Sequence, residues 1–169
     1  MWPFRYCPEC GSKLTTETCS HCLPCRVCGL IHYNNAKPCA GVLIVRDGRL
    51  LLARRAGDPQ KGAWDAVGGF LRPDEHPEDA AVREAREETG LHVRLKEISG
   101  IYIDTYGTDR IYTLNIYYTA EADLGDPVPA SDVSELKWFD PSAPPSHLAF
   151  KHQEGLLKDF FSQMEKQTY

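Results

Sequence analysis

The stretch Gly69-Phe-Leu-Arg-Pro-Asp-Glu75-His-Pro-Glu-Asp-Ala-Ala-Val-Arg83-Glu84-Ala-Arg-Glu87-Glu88-Thr-Gly90-Leu91 decides the reading of this chain. Its spacing predicts a helix over Pro77 to Thr89. Pro77 suits the first helical position, Glu78 and Asp79 favour the positive end of the helix dipole, and Gly90 is a natural stop. On such a helix positions 84, 87 and 88 stand as i, i+3 and i+4, so three carboxylates share one side. Left alone they repel one another. A divalent cation removes the conflict, and all-oxygen ligands suit hard Mg²⁺ or Mn²⁺. Arg83 lies four residues before Glu87 and can orient it. Glu75, on the preceding loop, approaches the same cluster through a Gly68-Gly69 turn. Small Ala81 and Ala85 allow the helix to lie close to a sheet.

Outward from that helix the chain alternates strand and turn signals. Ala40 to Val45 reads as a buried strand, Asp47-Gly48 as a hairpin turn and Leu50 to Ala53 as the returning strand. After a Gly/Pro-rich loop from Gly57 to Gly62, Trp64 begins a short extended stretch that Gly68-Gly69 is expected to break. Val93 to Ile98, Ile101 to Thr105, Arg110 to Ala120 and Val133 to Phe139 carry the β-branched and aromatic residues of strands. Leu156, Leu157, Phe160, Phe161 and Met164 mark one face of a terminal helix.

The quoted stretch resembles the Nudix box, G-x5-E-x7-R-E-U-x-E-E-x-G-U with U apolar. Gly69, Glu75, Arg83, Glu84, Ala85, Glu87, Glu88, Gly90 and Leu91 fill its positions. One departure is Val67, where many members place a proline before the paired glycines. The resemblance implies an α/β fold, an α/β/α sandwich around a mixed sheet. It also implies hydrolysis of a nucleoside diphosphate linked to another group, by water attack at phosphorus. Glu84, Glu87 and Glu88 are then the ligands of Mg²⁺ or Mn²⁺, with Arg83 and Glu75 as their catalytic neighbours. Two residues compete as general base: Glu84, weakened in that role if it binds metal, and Glu135, because downstream glutamates serve so in parts of the family. Arg54, Arg55, Gly69 and Tyr106 are the expected substrate contacts. His147 and His152 are assigned to packing.

Six of seven cysteines fall within the first 28 residues. With no signal peptide evident and an odd total, a disulfide framework is the weaker reading, and repeated Cys-x-x-Cys spacing suits thiolates sharing one structural Zn²⁺. Cys7-Pro-Glu-Cys10-Gly11 and Cys25-Arg-Val-Cys28-Gly29 look like equivalent knuckles, with Gly11 to Pro24 between them forming a short hairpin. Cys19-Ser-His-Cys22 offers a competing pair. A segment this small lacks a self-sufficient core, so metal would hold it together. The chain thus divides into a zinc ribbon at 1–35 and a hydrolase domain at 36–169. That order resembles NADH pyrophosphatases, but their Ser-Gln-Pro-Trp motif is absent from the corresponding Gly100 to Gly107 stretch.

Composition narrows the partners. The 169 residues are 42% hydrophobic and 25% charged, with a net charge of −5, which excludes a disordered chain and disfavours a broad nucleic-acid footprint. Between Cys10 and Cys28 only Lys13 and Arg26 are basic, a poor match to a phosphate backbone. No apolar run approaches the roughly 20 residues that cross a bilayer. These features predict a soluble, cytoplasmic enzyme acting on a small-molecule nucleotide, with ADP-ribose or a nucleotide sugar ranked first, then NAD(H), then (d)NTPs. The alternative is a non-catalytic nucleotide sensor or nucleic-acid-binding regulatory module, weakened by the full set of box carboxylates. Pairing of two copies through the ribbon into a homodimer is compatible with the enzyme reading.

Overall fold

The computed structural model describes residues 5–15, 22–107 and 111–167, with the side chains of 165–167 excepted. Two compact units result, residues 1–36 and 37–169. No described helix is long and apolar enough to cross a membrane.

In the first unit, strands β1 (Cys22–Pro24) and β2 (Ile31–Tyr33) pair antiparallel and flank the second knuckle. A Tyr6–Lys13 bridge flanks the first in the same way. Pairing therefore brackets each knuckle, where the sequence suggested a hairpin between them; residues 16–21 lie outside the described residues. Both knuckles turn alike. Gly11 N donates to Cys7 O at 2.8 Å and Gly29 N to Cys25 O at 2.9 Å, with φ of 70° and 78° at the two glycines. That left-handed region favours glycine, which is why one follows each second cysteine. Leu14 and Leu23 pack with Cys7 and Cys25 as the unit's small core.

The second unit is built on a mixed sheet. Its members are β3 (Lys37–Arg46), β4 (Arg49–Arg55), β5 (Trp64–Asp65), β6 (Val67–Phe70), β7 (Val93–Tyr106), β8 (Ile111–Ala122) and β9 (Val133–Phe139). The main path runs β5-β4-β3-β8-β7, with β6 on β3 and β9 on β4. Only β3 and β8 pair parallel among the described strands; the other ladders are antiparallel. The turn Asp47-Gly48, both residues at positive φ, makes the tight β3–β4 hairpin.

Helices cover both faces. Against one, α1 (Pro77–Thr89) packs Ala85 with Val42, Ile44, Leu51 and Val67. Against the other, α2 (His152–Gln167) lays Leu156, Leu157, Phe160 and Phe161 on Leu43, Leu50, Leu52 and Tyr117. This is the expected α/β/α sandwich.

Two strands differ from expectation. Gly68-Gly69 does not interrupt an extended stretch; β6 runs through both glycines, pairing Gly68 with Gly41 and Gly69 with Ala40. Close approach explains the residue type, since a Cβ on Gly68 would lie 2.5 Å from Ala40 O and from Gly41 Cα. The expected strands Val93 to Ile98 and Ile101 to Thr105 are one strand, β7, whose register shifts near Ile98 and Gly100 absorb the intervening Ser99-Gly100.

Candidate active site

Helix α1 is locally over-determined. His76 caps it, its Nδ1 accepting from Glu78 N at 3.3 Å, and Gly90 ends it at φ 72°. Ala80, Ala81 and Ala85 are fully buried, so the helix sits against the sheet on its small face. That seat turns Glu84 and Glu88 toward the edge of β6. Glu88 Oε2 accepts from Gly68 N at 3.2 Å, and a Cβ on Gly69 would lie 2.5 Å from Glu84 Oε1. The paired glycines thus leave room for carboxylates.

Arg83 ties the cluster together. Its Nε donates to Glu75 Oε1 at 2.6 Å and its Nη2 to Glu75 Oε2 at 2.8 Å. Its Nη1 reaches Glu84 at 2.7 Å and Glu87 at 3.0 Å, and Nη2 also reaches Phe70 O at 3.2 Å. Glu75 accepts from Arg72 N as well, at 3.0 Å. These bonds, Arg83 first, hold the Glu75 carboxyl down at about 2. It is a fixed anion that orients Arg83.

Glu88 is in the opposite condition. Burial pushes its carboxyl up to about 9, with Asp65, Asp132 and Glu84 adding like charge and the Gly68 N–H only partly offsetting them. Burial also raises Glu84, against the pull of Arg83. Carboxylates this crowded and this dry call for a cation, and their oxygen donors fit a hard divalent ion. No three carboxylates among the described residues bring oxygens within 4.8 Å of one another, because Arg83 holds Glu84 and Glu87. A cation shared by Glu84 and Glu87 would require those side chains to rotate from the guanidinium.

Beside the cluster lies a cleft that takes in Gly68, Gly69 and Asp132. Tyr106 and Phe150 stack on one another in its wall with centroids 5.7 Å apart and planes at 28°, and Phe70 meets Tyr106 edge-on at 5.2 Å. Arg55 lies 5.3 Å above the Phe150 ring. Its Nη1 donates to buried Asp65 at 2.9 Å, and Gln153 Nε2 donates to the other Asp65 oxygen. Behind them runs a chain of polar groups: Asp104 Oδ2 to His152 Nδ1 at 2.7 Å, and His152 Nε2 to the Tyr117 hydroxyl at 2.8 Å.

Of the sequence-selected contacts, Arg55, Gly69 and Tyr106 line this cleft. Arg54 instead pairs with Glu135 at 3.2 Å, the two being opposite one another on β4 and β9. The His152 side chain is nearly covered, but as a hydrogen-bonded member of the cleft wall rather than as plain packing. His147 contributes its carbonyl to Trp64 N at 2.9 Å. Sequence reasoning missed Asp65, Asp132, Asn115, Phe150 and Gln153. Asp132 follows Ser131, held at φ 58°, and its own carbonyl accepts from Ala56 N at 2.7 Å. Its carboxylate makes no hydrogen bond among the described residues and is exposed in the cleft, beside Glu84 and Glu88.

The cysteines form a second candidate site. Cys7, Cys10, Cys25 and Cys28 place their sulfurs within 4.8 Å of one another. Cys7 and Cys28 are 3.6 Å apart, as are Cys10 and Cys25. That is far beyond the roughly 2.05 Å of a disulfide and near the roughly 3.8 Å edge of a tetrahedron with 2.3 Å metal–sulfur bonds. The Ser12 hydroxyl sits 3.1 Å from both Cys10 and Cys25 and pulls the Cys25 thiol down. Cys22 belongs to β1 and is no part of the cluster; Cys19 lies outside the described residues.

Comparison with known proteins agrees with this geometry. The NUDIX domain profile matches residues 36–160. An ADP-ribose pyrophosphatase of Methanocaldococcus jannaschii is 34% identical over 118 residues, 70% of this chain and 69% of that protein. The NAD-capped RNA hydrolase NudC of Vibrio parahaemolyticus is 27% identical over 164 residues, 94% of this chain but only 61% of its own length. In structure, a NUDIX hydrolase from Nitrosomonas europaea superposes with a TM-score of 0.80 at 24% identity, covering 98% of this chain and 93% of its own. A box helix with its carboxylates beside an aromatic cleft, on this sandwich, places the chain in the Nudix hydrolase family.

Proposed function

We propose that the chain hydrolyses the pyrophosphate link of a nucleoside diphosphate joined to a sugar, ADP-ribose foremost, with NAD(H) and (d)NTPs as poorer substrates. The observation that carries this is Asp132, which lines the aromatic cleft and stands beside the raised carboxyls of Glu84 and Glu88. Glu84, Glu87 and Glu88 would hold Mg²⁺ or Mn²⁺, which when bound neutralises charge on the phosphate oxygens and acidifies water. Asp132 takes the proton of the attacking water, whose oxygen bonds to phosphorus as the bridging P–O bond breaks and a nucleoside monophosphate leaves. Glu75 keeps Arg83 in place, and Arg83 orients Glu84 and Glu87. Cys7, Cys10, Cys25 and Cys28 would hold a structural Zn²⁺.

A turnover screen in Mg²⁺ and Mn²⁺ over ADP-ribose, nucleotide sugars, NAD(H) and (d)NTPs tests the reading. AMP and ribose 5-phosphate are the expected products from ADP-ribose, and cleavage of none of these compounds would defeat it. For the base, Asp132→Asn should lower kcat by about 10²- to 10⁴-fold. Glu135→Gln, at a residue already paired with Arg54, should change it by less than about threefold. The reverse ranking would return the role to Glu135.

A further inference from the structure

Among the described residues, the floor of the cleft offers one unpartnered hydrogen-bond acceptor, the side-chain oxygen of Asn115. We infer that it reads an exocyclic amino group on the base of the bound nucleotide, the 6-amino group of adenine. This rests on the cleft being the nucleotide site proposed above.

The directions of the hydrogen bonds carry the argument. Strand β8 turns Thr113, Asn115 and Tyr117 to one face, as its period of two requires. Asn115 Nδ2 donates to Tyr102 O at 3.3 Å and to Thr113 Oγ1 at 3.0 Å. A carbonyl only accepts, so the amide cannot be flipped and Asn115 Oδ1 points the other way. That oxygen makes no hydrogen bond among the described residues, in a side chain that lines the cleft and is 7% exposed.

Tyr117 is committed by similar logic. The Asp104 carboxylate accepts, so the His152 Nδ1 beside it carries the proton. With the proton on Nδ1, Nε2 accepts from the Tyr117 hydroxyl, and Gln153 also hydrogen-bonds to that hydroxyl, so Tyr117 is already engaged within the wall. Gln153 repeats the pattern behind the floor. Its Nε2 is bound to Asp65, and its Oε1 is buried without a partner.

Above this floor the cleft is walled by the aromatic side chains of Tyr106 and Phe150 and by an Arg55 whose charge Asp65 already answers. Such walls suit a planar ring and do not call for an anion. A base with N–H at its edge satisfies the floor. A base edge bearing only lone pairs covers Asn115 Oδ1 without pairing it, which costs affinity.

The test is equilibrium binding, by calorimetry with the full chain in Mg²⁺, of AMP and of purine riboside 5′-monophosphate, which differs from AMP in lacking the amino group. AMP should bind about five- to tenfold more tightly, the range of one hydrogen bond. Asn115→Leu should erase that preference while leaving the affinity for the deaminated nucleotide unchanged. Equal affinities on the unaltered chain, or binding of neither, overturn the inference whether or not the variant folds. ADP-ribose turnover measured on the same preparation separates the two claims. Cleavage without amino-group preference defeats this inference alone, and preference without cleavage of any nucleotide defeats the hydrolytic reading alone.

Discussion

Glu88→Gln is expected to reduce kcat by about 10³-fold or more while leaving the fold intact, and Glu84→Gln to do nearly the same. The size follows from losing a metal ligand whose ion supplies several kcal/mol at the phosphate, each 1.36 kcal/mol being about tenfold in rate. Folding is not the cost. Glu88 is a buried carboxyl pushed up to about 9 by its surroundings, so near neutral pH the metal-free fold must protonate it, a cost that a neutral amide of the same shape avoids while still able to accept from Gly68 N. Thermal unfolding should therefore show an unchanged or higher midpoint for the metal-free variant, together with a smaller rise on adding Mg²⁺. Activity within about threefold of the unaltered chain in both variants would end the carboxylate–metal account.

The second large effect belongs to the cysteines. One equivalent of Zn²⁺ per chain is expected, and Cys7→Ser or Cys25→Ser should abolish it. The four sulfurs are already set at ligand spacing, and the unit's core is otherwise Leu14 and Leu23. A core that small cannot stand alone, while structural Zn²⁺ binding is worth about 10 kcal/mol or more. In the full-length variant, limited proteolysis should cut within residues 1–36 and spare residues 37–169. Metal analysis of carefully prepared protein decides the matter: no zinc in the unaltered chain, or the same content in the variants, refutes the assignment.

Local signals were the legible ones. Pro77, Gly90 and the apolar period set the α1 bounds, and Asp47-Gly48 set the hairpin, because capping and turn chemistry are written within a few neighbouring residues. The box carboxylates were legible for the same reason, being a helical spacing. Gly68-Gly69 misled because a glycine pair reads equally as a break or as a close approach, and only the presence of Gly41 across the ladder chooses between them. The cleft was hidden. Asp104 and His152 meet across 48 positions of sequence, and Gln153 and Asp65 across 88. Asp132 carries no local mark beyond a serine before it. Their juxtaposition comes from which strands are neighbours, which no short window contains.

Arg83, finally, bears on how the chain exchanges metal. A guanidinium spanning Glu75, Glu84 and Glu87 already answers negative charge at the box. A divalent ion taken up by Glu84 and Glu87 would displace a resident cation, while the guanidinium could keep its bidentate hold on Glu75. Occupancy is then a contest between two positive charges, so net affinity is lower than a bare carboxylate trio would give.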